Sequence, residues 1–327
     1  MSLISIVAPL FNEESNVAEL VRRLSDLCAR IAAGGDDYEI VAVDDGSQDG
    51  TLAALHAAQR VEPRLVVLSL SRNFGHQIAA TAGLEAAKGD AIVLMDGDLQ
   101  DPPELIVRLV EKWREDYDVV YAVRRVRRGE GRFKLWTART FYRVIRRLTN
   151  VAIPVDTGDF RLMSRRVVDA LAESRERHRF LRGLVSWVGY KQIGVEYDRD
   201  ARYSGVTKYP FSKMVRFAFD GITSFSEVPL RLATYLGFGV SVFSFVYTIV
   251  VFVLKFLGLN EPGYTSTMAA ILFLGGVQLI GIGILGEYVG RIYEQVKGRP
   301  LYLVASLERG SPAAASGPPP ASEAISK

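Results

Sequence analysis

Five short apolar runs, Ser5 to Pro9, Tyr38 to Val43, Leu65 to Ser69, Ala91 to Met95 and Val119 to Ala122, punctuate the first part of the chain. Their near-continuous Val, Ile, Leu and Ala content is that of strands covered on both faces. Between them the period lengthens. Val17 to Ile31 repeats apolar residues at helical spacing, and helices are also expected from about Gly50 to Arg60 and after Asn73, Phe74 and Gly75 through Ala87. Strand and helix in turn predict an α/β fold built on a mostly parallel sheet with helices on both faces.

Further along, the pattern changes twice. Arg132 to Leu148 interleaves basic residues with Phe133, Leu135, Trp136, Phe141, Tyr142, Val144, Ile145 and Leu148. A helix there has one apolar face, suited equally to packing on the domain or to a membrane interface. Pro210 fits a helix's first turn and opens a second amphipathic segment, with Phe211, Met214, Val215, Phe217, Phe219 and Ile222 among Lys213 and Arg216. This reads as an interfacial helix. Leu232 to Phe256 and Met268 to Val289 are then almost uncharged. Each is long enough to cross the ~30 Å hydrocarbon layer, which takes ~20 helical residues. Lys255 can snorkel, and Glu287 and Arg291, four apart, can pair.

The expected organisation is a cytosolic α/β domain over 1–209, an interfacial helix and connector over 210–231, membrane helices over 232–257 and 268–290 and an extracytoplasmic loop over 258–267. A juxtamembrane segment over 291–308 and a disordered tail over 309–327 complete it, the tail because GSPAAASGPPPASEAISK holds nothing for a core. In 327 residues with a formal charge of +3, the basic residues are unevenly placed. Lys213, Arg216 and Arg231 precede the hairpin, Arg291, Lys297 and Arg299 follow it, and its loop carries only Glu261. Positive-inside reasoning puts both flanks in the cytoplasm. The opening SLISIVAPLF has no basic leader, so no cleaved signal is expected.

Charge and composition also exclude some chemistry. Arg124 to Arg147 contains a single acidic residue, Glu130, but no recognition motif accompanies this basic run, and no nucleic-acid partner is expected. Cys28 is alone, which excludes an internal disulfide, and on an amphipathic helix it reads as a small buried apolar residue. His56, His76 and His178 lack zinc-ligand spacing. Neither a G-x-G-x-x-G fingerprint nor a G-x-x-x-x-G-K-[ST] loop is present, against a dinucleotide oxidoreductase and an ordinary ATPase.

The positive signal is AIVLMDGDLQDPPE, in which Asp96 and Asp98 end a buried strand, where an open α/β sheet presents groups to ligands. Asp98 is expected as a direct ligand of Mg²⁺ or Mn²⁺, with Asp96 on ribose or on the metal through water, because hard cations bridging phosphates take oxygen ligands. The turns after the first two strands supply Pro9, Asn12 and Glu13, and Asp44, Asp45, Gly46 and Ser47. One carboxylate of the Asp44, Asp45 pair is expected on the nucleobase and the other near ribose or the helix start; the competing reading makes Asp45 or Ser47 a helix cap. Arg202, Ser204 and Lys208, just before the interfacial helix, suit phosphate at headgroup height. Asp159, among apolar neighbours, is read as orienting a nucleophile, touching sugar hydroxyls or acting as a base, against a salt bridge to Arg161 or an Asx turn. Together these imply transfer from an activated nucleoside diphosphate compound.

IVAPLFNEE, VAVDDGSQDGT, LSRNFGHQIAATAGLEAAKGD, VLMDGDLQDPPE, TGDFRLMSRRVV and RYSGVTKYPFSK, in this order and before two membrane segments, resemble the bacterial polyisoprenyl-phosphate glycosyltransferases of glycosyltransferase family 2. The resemblance spans roughly Leu3 to Arg299. It implies a GT-A domain, a divalent ion, inversion at the anomeric carbon and the bacterial cytoplasmic membrane. It places Pro9, Asn12, Glu13, Asp44, Asp45 and Gly97 at the nucleotide, Asp96 and Asp98 in the D-x-D element, Gln100 at the metal or diphosphate, and Asp159 as the catalytic carboxylate. Arg202, Ser204 and Lys208 would meet phosphate. The implied partners are a nucleotide sugar, with UDP-glucose preferred, a polyprenyl phosphate, membrane lipids and further copies in a homo-oligomer, possibly a tetramer. His76 and Gln77 depart from the basic and acidic side chains expected after N-F-G. The alternatives are a family 2 enzyme with another acceptor, or a non-enzymatic membrane scaffold or lipid-translocation subunit; the intact carboxylates and the lack of an acceptor channel count against them.

Overall fold

The computed structural model describes residues 1–124, 157–177, 179–197, 228–257 and 263–310. The basic stretch 132–148, His178, Arg202, Ser204, Lys208, the interfacial helix from Pro210, Glu261 and the tail after 310 lie outside them.

The predicted alternation is present. Strands β1 (Leu3–Leu10), β2 (Asp37–Asp44), β3 (Leu65–Leu70) and β4 (Ala91–Leu94) are separated by helices α1 (Glu14–Ala33), α2 (Thr51–Val61) and α3 (His76–Ala86). Next come α4 (Leu105–Arg114), β5 (Val119–Arg124), β6 (Thr157–Ser164), α5 (Arg165–Glu173), α6 (Leu181–Trp187) and β7 (Gln192–Tyr197). The strand order is β7-β5-β6-β4-β1-β2-β3, with the late strand β8 (Val304–Arg309) on the β3 edge. β1, β2, β3 and β4 pair in parallel, as do β5 and β7, while β6 and β8 run antiparallel to their neighbours.

Two apolar layers hold the sheet. Ile4, Ile6, Ala8 and Leu10 of β1 face α1, whose Val17, Leu20, Leu24, Cys28 and Ile31 fall on one stripe. Val7 points the other way, to Ala79, Ala80 and Leu84 of α3 and Val167 and Leu171 of α5. Each fully buried Leu or Ile contributes roughly 1.5–3 kcal/mol, so a single polar change at Leu24 is enough to endanger the domain. Burial pushes the Cys28 thiol up, consistent with a packing residue.

Three strands were not expected from the sequence. β6 carries Asp159 and Arg161 at alternate positions, which breaks its apolar pattern although all eight residues are buried. β7 is a short edge strand. β8 overturns the reading of 291–308 as a simple juxtamembrane segment: residues up to Val296 continue a helix, and Val304–Arg309 complete the sheet. Its side chains are mostly exposed on both faces, so no period of two marks it.

The hairpin consists of α7 (Val228–Phe256) and α8 (Tyr264–Val296), which pack on each other. The spans Leu230–Phe256 and Phe273–Val296 are long and apolar enough to cross a membrane, and their large side chains, Phe238, Phe243 and Leu279 among them, are exposed. Arg291 donates to Glu287 at 2.8 Å, the expected pair. At 33 residues α8 is about 50 Å long, more than the ~30 Å hydrocarbon layer needs.

Candidate active site at the carboxyl edge of the sheet

β1 and β4 are adjacent, although the chain visits β2 and β3 on the far side of β1 between them. That reversal leaves a crevice at the carboxyl ends of β1 and β4, where an open α/β sheet binds ligands. The first two turns wall one side. Asn12 adopts a left-handed conformation (φ 54°), donates its backbone N–H to Ser47 Oγ at 3.0 Å and accepts from Gln48 N at 2.9 Å. Glu13 N donates to Thr51 Oγ1 at 2.9 Å. The start of α2 is served by Asp49, which accepts from Thr51 N at 3.0 Å, so neither Asp45 nor Ser47 is its cap.

Asp44 and Asp45 are both buried and both used locally. Asp44 accepts from Ser47 N at 3.1 Å and from Ser69 Oγ at 3.1 Å. Asp45 accepts from Phe74 N at 2.7 Å and Gly75 N at 2.9 Å, and so holds the start of α3. Burial raises the Asp45 carboxyl above its ordinary range, against the pull of these two N–H groups. Gly46 (φ 66°) lies where a Cβ would stand 2.7 Å from Arg72 Cα and Asn73 N, so the two turns meet backbone to backbone.

The opposite side is built by β4 and β6. Their antiparallel register pairs Leu94 with Arg161, and two further steps bring Asp96 opposite Asp159. A Cβ on Gly97 would lie 2.7 Å from Leu10 Cδ2 and 3.2 Å from Pro9 O, so the β4 exit rests directly on the end of β1. His76 Nε2, from the first turn of α3, is 3.3 Å from Asp96 Oδ1 and 3.3 Å from Asp159 Oδ2. Gln77 Nε2 donates to Asp159 Oδ2 at 3.1 Å, and its own carbonyl accepts from Leu181 N at 3.0 Å. Arg182 Nε donates to Asp159 Oδ1 at 2.7 Å. Arg161, the salt-bridge partner of the competing reading of Asp159, donates instead to the carbonyls of Gly158 at 2.9 Å and Asp159 at 3.3 Å.

The two carboxylates are driven apart electrostatically. Burial raises Asp96 to about 6; His76 opposes the rise, while Asp159, Asp101 and Asp98 add to it. Burial would raise Asp159 too, but Arg182 and His76 outweigh it and hold that carboxyl well below the usual range. For His76, burial disfavours the charged ring, and Asp159 and Asp96 more than compensate, raising its pKa.

Ligand atoms of His76, Asp96 and Asp159 lie within 4.8 Å of one another. The two carboxylate oxygens suit Mn²⁺ or Mg²⁺, and a direct imidazole ligand fits the softer Mn²⁺ better than Mg²⁺. The raised pKa of Asp96 is that of a half-buried carboxylate with too little positive charge beside it, a deficit a cation relieves. Asp98, expected as the direct ligand, is outside this group; its Oδ1 accepts from Gln100 N at 3.1 Å across a turn in which Leu99 has φ 57°. His76, Gln77 and Arg182 were not read as site residues. N-F-G at the end of β3 was a usable signal for the first two, whereas Arg182 arrives through tertiary packing and has no local mark.

A sheet reversing at an acidic carboxyl edge and joined to an apolar hairpin defines a membrane-associated transferase of GT-A architecture. The chain belongs to glycosyltransferase family 2: the family model "Glycosyl transferase family 2" matches residues 5–172, and the "GtrB C-terminal hairpin" model matches residues 228–292. It is 50% identical over 305 residues to the uncharacterized glycosyltransferase sll0501 of Synechocystis sp., covering 93% of this chain and 95% of that protein. The uncharacterized glycosyltransferase YkcC of Bacillus subtilis is 48% identical over 92% of each chain. The SfII prophage-derived bactoprenol glucosyl transferase of Shigella flexneri is 44% identical over 94% of this chain and 99% of its own.

Proposed function

We propose that the protein transfers glucose from UDP-glucose to a polyprenyl phosphate, with inversion, at the cytoplasmic face of the bacterial inner membrane, which its hairpin crosses twice. The observation that carries this reading is the 44% identity to bactoprenol glucosyl transferases along the whole chain, hairpin included. In this reading Pro9, Asn12, Glu13, Asp44, Asp45 and Gly97 frame the nucleotide. Asp96, with Asp98 and Gln100 in the next turn and His76 beside it, serves the metal and diphosphate; Arg202, Ser204 and Lys208 meet phosphate.

An acceptor phosphate oxygen attacks the anomeric carbon from the face opposite UDP. The new carbon–oxygen bond forms as the bond to the β-phosphate oxygen breaks, and that oxygen keeps the electron pair. Bound Mg²⁺ or Mn²⁺ supplies charge neutralisation to the departing diphosphate. The acceptor needs little deprotonation near neutral pH, because a phosphate's second pKa is about 6. Asp159, kept ionised and clamped by Arg182 and Gln77, therefore acts as a fixed negative charge that aligns groups at the reacting centre, not as a proton acceptor.

The test is mass spectrometry of undecaprenyl phosphate after incubation with purified protein, Mg²⁺ or Mn²⁺, and separate nucleotide sugars. A lipid heavier by one hexose with UDP-glucose is the expected product. Transfer from a different donor alone would replace the sugar assignment, and no lipid product from any donor would overturn the acceptor.

A further inference from the structure

The polypeptide leaving α8 is fastened to the soluble domain before β8 begins. Gln295, in the last turn of α8, donates through Nε2 to Arg175 O at 2.9 Å and accepts from Arg177 N at 3.1 Å. Arg177 Nη2 then donates to Arg299 O at 2.6 Å. Tyr302 donates its hydroxyl to Glu85 at 2.7 Å, and the same carboxylate accepts from Arg175 Nη1 at 3.1 Å. Ser71 N donates to Leu303 O at 2.9 Å, and β8 continues along β3.

Covering the open edge of β3 would explain β8 alone. It does not explain Gln295, Arg299 and Tyr302, which grip the 175–177 segment and α3 away from that edge. Only seven residues separate the end of α8 from β8, so the anchored connection is short. Glu85 lies on the helix whose first turn carries His76 and Gln77, nine residues or about 13 Å away along its axis. A membrane helix, its exit segment and the reacting carboxylates are thus joined through one rigid element.

We propose that Gln295 and Tyr302 are positioning residues that fix the height and tilt of the active site over the bilayer, so that it meets a phosphate carried at the lipid surface. The inference rests on the lipid-phosphate acceptor proposed above. Neither residue touches Asp96 or Asp159; they act through α3 and the 175–177 segment. Their loss should therefore affect an acceptor confined to the membrane and spare one that diffuses freely.

The experiment compares the full-length wild type with the Gln295→Leu, Tyr302→Phe double variant in bilayer nanodiscs containing undecaprenyl phosphate, and in detergent with farnesyl phosphate, a short acceptor that no bilayer holds at a set height. Removing these hydrogen bonds is expected to lower turnover on the bilayer acceptor by about tenfold. UDP affinity and turnover on farnesyl phosphate should stay within about twofold, the scatter of a silent surface change. Equal loss on both acceptors, or none on either, overturns the proposal. A second readout is independent of transfer: a fluorophore at Val61→Cys, an exposed site that can be labelled while Cys28 stays buried, reports its distance to dye-labelled lipid headgroups. The double variant should shift this energy transfer. An unchanged value overturns the positional claim whatever the activity, whereas a shift with no wild-type product on either acceptor points to failure of the acceptor assignment alone.

Discussion

Two pairs of carboxylates, the half-buried Asp96 and the buried Asp44, Asp45 and Asp159, lie at the same edge of the sheet and are treated in opposite ways. Asp44 and Asp45 each accept two hydrogen bonds, three of the four from backbone N–H groups that cannot leave without unfolding a turn and the fourth from the Ser69 hydroxyl. Asp96 and Asp159 face side chains: His76 between them, with Gln77 and Arg182 on Asp159. Side-chain partners can be shared with a ligand without unfolding a turn, and backbone partners cannot. One pair therefore shapes the crevice, and the other supplies its charge.

The contrast is most strongly tested at Asp159. Asp159→Asn keeps the shape and removes the charge, so kcat should fall by about 10²–10³-fold while UDP affinity changes little, as for loss of a preorganised transition-state contact. Steady-state kinetics beside calorimetric UDP titration separate the two; a drop in affinity matching the drop in turnover would put Asp159 with the donor-binding groups. Arg182→Leu leaves the Asp159 charge buried beside weaker partners and should destabilise the domain by about 3 kcal/mol, read by denaturant unfolding. Asp45→Asn sets an amide N–H₂ against a backbone N–H at Phe74 or Gly75 and should cost about 1–2 kcal/mol, with a weaker effect on kcat than Asp159→Asn. A larger kcat effect at Asp45 would erase the distinction between the pairs.

The smallest effect concerns pH. Because Asp96 is raised to about 6 in the folded chain, against about 3.9 unfolded, the folded state holds the extra proton between these values. Its stabilising contribution is complete below about pH 4 and is lost as pH rises through about 6. The metal-free melting temperature should decline across that window, and Mn²⁺ should raise it above pH 6, where Asp96 is free to bind, but not at pH 4. An Asp96→Asn variant should flatten both responses.

Much of this was legible along the chain because parallel strands buried on both faces announce themselves as apolar runs. β1 to β5, the three helices after β1, β2 and β3, the hairpin and the Asp96, Gly97, Asp98 segment were expected, whereas α4, between β4 and β5, was not. β6 was not, since Asp159 and Arg161 interrupt its pattern and Arg161 is satisfied by carbonyls of its own strand. The meeting of Asp96 with Asp159 depends on an antiparallel register, which two segments read separately cannot reveal. Arg182 reaches Asp159 only once α6 has packed, and Asp49 supplies the hydrogen bond at the start of α2 although Asp45 and Ser47 had equal claims in the sequence DDGSQD. Local chemistry was visible, and partnerships across the sheet were not.

The contact at Gly46 has a practical side. Any side chain there must pry the second turn from Arg72 and Asn73, loosening the grip of Asp45 on Phe74 and Gly75 and the first turn of α3 with it. His76 and Gln77 would then drift from Asp159. In a random mutagenesis screen scored by activity, Gly46 would be counted among the catalytic positions despite having no functional group, a false positive produced by crowding thirty residues upstream of the chemistry.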